Sequence, residues 1–192
     1  IMDKSAIRKE HQELRRAISI EKREDFSEQI SNKVLDYLKA NPSIRHIHIF
    51  LTISRLNEIN TFPLLKKLKD LGYFLYTSYV NPETGVLDTL DITHSKEFKL
   101  DAYGIPLPSD FKKGQNANLQ LILIPLLAFD LKGNRLGYGK AYYDKFLATF
   151  HHKIIKAGLS FFLPVKEIPT EAHDIGLDIC ITPEKTYYFN HL

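Results

Sequence analysis

Apolar positions recur along this chain with two different periods, and the alternation between them lays out its elements. Residues 3 to 18 carry a sparse helical stripe at Ile7, Leu14 and Ile18 among many charges. From about Glu21 to Ala40 the stripe is fuller, with Phe26, Ile30, Val34 and Leu38 on one face and Leu35 widening it, until Asn41-Pro42 stops it. Arg45 to Thr52 alternates and then turns wholly apolar at Phe50-Leu51, as expected of a strand. A helix capped by Asn60 or Thr61 follows, with Pro63 early and Leu64, Leu65, Leu68 and Leu71 inward. Tyr73 to Val80 is β-rich, the Asn81–Gly85 turn leads to a hairpin partner around Val86 to Ile92, and Glu97 to Lys112 reads as largely irregular.

The unbroken apolar run from Leu121 is long enough for a strand buried on both faces. It breaks at Lys132-Gly133-Asn134, and helical spacing returns at Tyr142, Phe146 and Phe150. Lys153 to Ser160 is a second buried strand, Ile179 to Thr182 a short last one, and Thr186 to Phe189 a closing β pair. Strands alternating with helices predict an α/β fold whose mostly parallel sheet is covered on both faces. No internal repeat or interdomain linker interrupts this order, so one domain is expected over residues 2–192.

Composition narrows the possibilities. A formal charge of +3 argues only weakly for anionic ligands and makes no strong case for nucleic acid. No apolar run approaches a membrane span, and the N-terminal segment lacks the apolar core of a signal peptide, so a soluble, cytoplasmic protein is the default expectation. The one cysteine, Cys180, sits in the apolar stretch Leu177–Ile181 and reads as a buried strand thiol. His46 and His48 share a strand face, but no third ligand at suitable spacing follows to complete a metal site.

The chemistry concentrates in the loop between the Leu121 strand and the helix at Tyr142. Gly133, Gly137 and Gly139 permit positive φ and close approach of the main chain to a bulky anion, and Arg135 and Lys140 supply charge. A strand-to-helix loop of this kind is where open α/β sheets bind phosphate. Known fingerprints do not fit. A P-loop needs glycine where Asn134 stands and a hydroxyl after Lys140, where Ala141 stands, and the dinucleotide motif needs a third glycine at Tyr142. The residues alone leave an anion site and an ordinary tight turn both open. Likewise Lys4 and Arg8, four apart, read as a solvated basic face, Asp144 as a surface partner of Lys140, Asp174 as a turn cap, and Glu58 as a favourable charge near a helix start.

IPLLAFDLKGNRLGYGKAYYDKFL, from Ile124 to Leu147, resembles the signature of the 5-formyltetrahydrofolate cyclo-ligase family, also called methenyltetrahydrofolate synthetases. The resemblance runs the length of the chain through Lys4 and Arg8, Phe50-Leu51 with Glu58-Ile59, Tyr103-Gly104-Ile105-Pro106, and His173-Asp174. It implies a three-layer fold of the NagB/RpiA/CoA-transferase-like type, and ATP-driven closure of 5-formyltetrahydrofolate to the 5,10-methenyl form. It further implies that Lys4, Arg8 and the loop Gly133, Asn134, Arg135, Leu136, Gly137, Tyr138, Gly139, Lys140, Ala141, Tyr142 and Tyr143 bind ATP, with Lys140, Arg135 and Arg8 serving the phosphoryl transfer. Arg8, Leu51, Glu58, Tyr103, Tyr138 and Tyr142 would border the folate, Glu58 holding its pterin, and Asp144 and Asp174 would hold Mg2+. Two departures stand out: Ala141 replaces a glycine of the family pattern, and the loop between Leu51 and Glu58 is longer than usual. The expected partners are these small molecules alone, with a monomeric chain and neither nucleic acid nor membrane.

Two competing readings make different predictions. A sugar-phosphate isomerase or acyltransferase on a related scaffold would bind phosphate without needing ATP, but no obvious acid-base carboxylate pair supports it. A nucleotide- or RNA-binding regulator using the basic N-terminal helix would bind oligonucleotides with steep salt dependence.

Overall fold

Each of the first two helices begins where a side-chain oxygen is available to cap it. The computed structural model describes residues 2–189, so the last three positions of the expected domain, 190–192, lie outside the described residues. Helix α1 (Lys4–Ala17) starts at Asp3, whose carboxylate accepts the Ala6 N–H at 2.8 Å. Helix α2 (Ile20–Ala40) starts at Ser19, whose hydroxyl accepts the Lys22 N–H. Both satisfy amides that the first turn leaves unpaired.

Strand β1 (His46–His48) is shorter than the alternation at 45–52 predicts. Ile49 still donates to Tyr76, but the following backbone turns to its own side chains: Thr61 Oγ1 donates to the Phe50 carbonyl, and Thr52 Oγ1 donates to that of Ile59 while accepting the Thr61 N–H. This knot ends the strand and delivers the chain to α3 (Phe62–Asp70), which has Pro63 in its first turn. Strands β2 (Phe74–Val80) and β3 (Leu87–Asp91) form the expected hairpin. The stretch predicted to be irregular holds a small antiparallel pair, β4 (Phe98–Leu100) and β5 (Pro106–Pro108). Two prolines in a three-residue strand concealed it; an edge position with few ladder bonds tolerates them.

Strand β6 (Leu121–Pro125) leads into a second small hairpin, β7 (Ala128–Phe129) and β8 (Arg135–Leu136), and then into α4 (Tyr142–Ala148). Strands β9 (Ile155–Leu159), β10 (Ile179–Ile181) and β11 (Thr186–Tyr188) complete the chain. The main sheet has the order β11-β10-β9-β6-β1-β2-β3, parallel from β10 to β2 and antiparallel at both edges. Strand β6 shows why an unbroken apolar run was required. Leu121 and Leu123 pack with Ile30, Val34, Leu64 and Leu68 of α2 and α3, whereas Ile122 and Ile124 pack with Phe146 and Leu147 of α4. Both faces are therefore dry, and each such side chain contributes about 1.5–3 kcal/mol by leaving water.

Three details differ from the helical patterns. Leu14 and Leu71 are exposed, and α1 instead buries Ile7, His11 and Arg15. Tyr143 rather than Tyr142 joins the core beside Phe146. Helix α1 docks through Ile7 onto Ala128, Leu136 and Ile168, not onto the main core, so its inward face meets loops and is correspondingly polar.

Candidate active site

The strand order locates the site before any side chain is considered. From β1 the chain steps outward to β2, returns to place β6 on the other side of β1, and then continues away to β9 and β10. Connections leaving β1 and β6 therefore diverge, opening a crevice at their carboxyl ends where doubly wound sheets bind ligands. The loop 49–61 and the loop 126–141 border it, and α1 lies across both, as its hydrogen bonds to Leu56, Leu126 and Gly137 establish.

The glycine loop has two halves with different tasks. Asp130, 1% exposed, shapes the first: its carboxylate accepts the N–H groups of Lys132, Asn134 and Ile168 and the side-chain amide of Asn134. Gly133, at φ +85°, is enclosed so tightly that a Cβ would stand 2.9 Å from the Leu177 carbonyl oxygen. Gly133 and Asn134 thus build the β7–β8 turn, and their interactions are with the scaffold. The second half faces α1. Arg8 donates from Nε to the Gly137 carbonyl at 3.0 Å, and its guanidinium lies 3.5 Å from where a Cβ on Gly139 (φ +100°) would stand. Ala141 adopts φ 57°, the left-handed conformation that glycine occupies without strain, which accounts for the glycine of the family pattern. Helix α4 has no side-chain cap and is only 7 residues long, so the loop amides, more than a helix dipole, are what this segment can offer an anion.

Across the crevice, Glu58 is 3% exposed. Its Oε1 accepts the Ile53 N–H at 2.8 Å, and its Oε2 accepts the Tyr138 hydroxyl at 3.0 Å. Tyr138 in turn accepts from Arg15 at 2.5 Å. Burial leaves the Glu58 pKa raised, and the Ile53 N–H, Arg15, the Tyr138 hydroxyl and Arg55 offset only part of that rise. Burial, followed by the nearby Glu58 charge, pushes the phenols of Tyr138 and Tyr143 well up, so both remain protonated.

A chain of alternating charges continues from α1. Lys4 donates to Asp174 at 3.0 Å and to the more exposed Glu171 at 3.3 Å. Burial works against the Lys4 charge, but the two carboxylates outweigh it and raise its pKa. Burial likewise opposes the Asp174 charge, yet the Glu171 N–H and Lys4 hold its carboxyl below the usual range. Arg135, with 7% of its side chain exposed, pairs with Asp144 at 2.6 Å. Burial lowers the Arg135 pKa, with Asp144 opposing that shift most strongly. Asp144 Oδ1 also accepts the Ile175 N–H, joining α4 to the segment after Asp174.

Similarity to known proteins extends over nearly the whole chain. The model of the 5-formyltetrahydrofolate cyclo-ligase family matches residues 1–183. The chain belongs to this family. It is 30% identical over 188 residues to the mouse 5-formyltetrahydrofolate cyclo-ligase, covering 91% of each chain. Against the Escherichia coli K12 protein of the same name it is 28% identical over 181 residues, covering 90% of this chain and 96% of that one. The NMR structure of Aquifex aeolicus 5,10-methenyltetrahydrofolate synthetase superposes with a TM-score of 0.83 at 26% identity, covering 100% of this chain and 95% of that chain.

Set beside the residues that the family resemblance implies, the geometry sorts them. Arg8 meets Gly137 and lies beside Gly139, with the exposed Lys140 next in the chain, and from the same loop the Tyr138 hydroxyl reaches Glu58. Arg135 is spent on a buried ion pair and is not an open cation. Leu51 packs in the core, so its side chain is committed there. Leu136 packs against Ile7 of α1. Tyr103 is 74% exposed at the tip of the β4–β5 hairpin, where its carbonyl accepts from Arg55 at 2.7 Å. Tyr142 opens α4 half-buried and outside the core, while Tyr143 packs edge-on against His48.

Arg15 and Asp130 escaped the sequence reading. An arginine in a helix rich in cations reads as solvated, but Lys4, Arg8, His11 and Arg15 share one stripe, and that repeat was the available signal. A shallow groove lined by Lys33, Tyr37, Asn41 and Tyr188 lies at the far sheet edge and contains none of these residues.

Proposed function

We propose that this chain closes 5-formyltetrahydrofolate to 5,10-methenyltetrahydrofolate at the expense of ATP, releasing ADP and phosphate. The observation that carries the proposal is the meeting of Arg8 with the glycine loop at the switch point, joined through Tyr138 to the buried carboxylate of Glu58. One side offers cations and main-chain amides to phosphates, and the other offers an acceptor to the donor-rich edge of a pterin. No helix among the described residues is long and apolar enough to cross a membrane. A single domain over 2–192 of the NagB/RpiA/CoA-transferase-like type, acting as a cytoplasmic monomer on small molecules without nucleic acid or membrane, completes the proposal.

The formyl oxygen is an amide oxygen, a poor nucleophile and a worse leaving group. Transfer of the γ-phosphoryl group to it makes departure possible; N10 attacks the activated carbon and loses its proton, and the carbon–oxygen bond breaks to release phosphate. Such a transfer depends on positioning and on neutralising the phosphate oxygens. Lys140, Arg8 and Lys4 supply charge, and the amides from Gly137 to Ala141 supply donors. Arg135 serves indirectly by holding Asp144 and the start of α4 in place.

Asp144 and Asp174 suit a magnesium ion carried on the phosphates. The hydrogen bonds to Asp144 among the described residues fall on Oδ1, leaving Oδ2, and a magnesium ion takes only one or two carboxylates while keeping water. No cluster of three metal-binding side chains occurs among the described residues, so a closed protein cage is not what this site offers. When bound, the ion would neutralise phosphate charge. The test is absorbance growth of the methenyl product on mixing protein, Mg-ATP and 5-formyltetrahydrofolate, with one phosphate released per product; phosphate release without product contradicts the proposal.

A further inference from the structure

We infer that Arg15 is a positioning residue for the folate reaction: its guanidinium fixes Tyr138 and, through it, Glu58, and supplies the buried positive charge this carboxylate needs to accept the donors of a reduced pterin. The inference rests on the proposed function, because it takes Glu58 as the pterin acceptor.

Arg15 is 5% exposed on a helix whose other arginines and lysines meet solvent at least in part. It donates to the Leu126 carbonyl at 2.6 Å, the Leu56 carbonyl at 3.3 Å and the Tyr138 hydroxyl at 2.5 Å. Those acceptors belong to the start of the loop after β6, the loop after β1, and the glycine loop, so one side chain ties together the segments that border the crevice. Arginine can only donate, which fixes the direction of the relay. The Tyr138 oxygen must turn a lone pair toward Arg15, and its one proton is left for Glu58 Oε2.

A carboxylate has about four lone-pair sites, two on each oxygen. Ile53 N–H occupies one on Oε1 and Tyr138 one on Oε2. One remains on each oxygen, the number needed to accept two adjacent N–H donors, as on the amino-pyrimidine edge of a pterin. Glu58 must be ionised to keep both sites as acceptors. The groups facing it are Arg15 from α1, Arg55 from the turn Ser54–Leu56, Tyr138 from the glycine loop and Tyr143 from α4. The two phenols are neutral, and Arg55 is exposed with its Nε bound to the Tyr103 carbonyl. Arg15 is the buried cation of the set.

The test compares kcat/KM for 5-formyltetrahydrofolate and for ATP across pH in the wild type, Arg15→Gln, Arg15→Lys and Tyr138→Phe. Glu58 is needed as the anion, so folate kcat/KM falls as pH drops through its pKa; removing a neighbouring cation raises that pKa and moves the fall to higher pH. Arg15→Gln is expected to lower folate kcat/KM about tenfold or more at neutral pH and to shift its acid limb up by about one pH unit or more, with little change in KM for ATP. Arg15→Lys should return the limb toward the wild-type position. Tyr138→Phe leaves the Arg15 bonds to Leu56 and Leu126 intact and should move the limb the same way, so it decides the matter if Arg15→Gln does not fold. A limb that stays in place in Arg15→Gln, or in Tyr138→Phe when that variant decides, overturns the inference. So does a rise in both Michaelis constants together. If the wild type forms no methenyl product, the proposed function fails instead.

Discussion

The two cations of the glycine loop look equivalent in sequence, and the structure predicts opposite phenotypes for them. Arg135 is buried against Asp144 at 2.6 Å, with 7% and 17% of the side chains exposed, whereas Lys140 is exposed and makes no ion pair among the described residues. Arg135→Met removes one partner and leaves the other enclosed. Breaking a buried pair this way costs about 3–5 kcal/mol, and the Ile175 N–H retained by Asp144 places the expected loss near the lower end, about 3 kcal/mol. For a chain of this size that is a fall in Tm of about 6–12 °C. Lys140→Ala alters an exposed side chain and should stay within about 0.5 kcal/mol of the wild type. Its effect belongs to catalysis, where losing one charge-stabilising donor lowers kcat by about 10²–10³. Urea unfolding gives the first quantity, and tyrosine fluorescence serves as the signal because the chain has ten tyrosines and no tryptophan. Methenyl absorbance gives the second. The double variant Arg135→Met/Asp144→Asn should regain part of the stability, since it no longer leaves a charge alone. Wild-type stability in Arg135→Met, or near-normal turnover in Lys140→Ala, would refute this division of labour.

Further predictions test other parts of the molecule. His48 is fully enclosed, and burial pushes its pKa down to about 3, so the folded state refuses a proton that the unfolded chain takes up below its ordinary pKa of about 6.5. Its contribution therefore erodes stability as pH falls from that value toward 3, by about 2 kcal/mol at pH 5. His48→Gln should flatten the wild-type loss of urea midpoint between pH 7 and pH 5; parallel curves would contradict this. Gly139→Ala forces a side chain into φ +100° beside Arg8, at a cost of about 1–2 kcal/mol, and should raise KM for ATP more than KM for folate. Unchanged ATP affinity would separate that glycine from the phosphate site.

What could be read from the sequence was what a strong periodic signal carries. Strand β6 and helix α2 followed directly from their apolar spacing, because each buries its pattern against the main core. Helix α1 was legible as a helix from its stripe, but its inward face was not, since that face meets carbonyls and a tyrosine hydroxyl, and a buried Arg15 leaves the same trace as a solvated one. Strand β1 read too long because Thr52 and Thr61, ordinary strand residues by composition, knot the loop by bonding to each other and to nearby main chain. The cation cluster was visible as residue types, but the difference between Arg135 and Lys140 is a difference of burial, set by how α4 and the segment around Ile175 close over the loop.

The central claim is that the terminal phosphoryl group of ATP passes to the formyl oxygen at the junction of α1 and the glycine loop. Substrate labelled with ¹⁸O in the formyl group tests it directly, by mass spectrometry of the phosphate released during turnover. The account predicts that the label appears in inorganic phosphate, one labelled oxygen per methenyl product. Label recovered in water, with unlabelled phosphate, would contradict it.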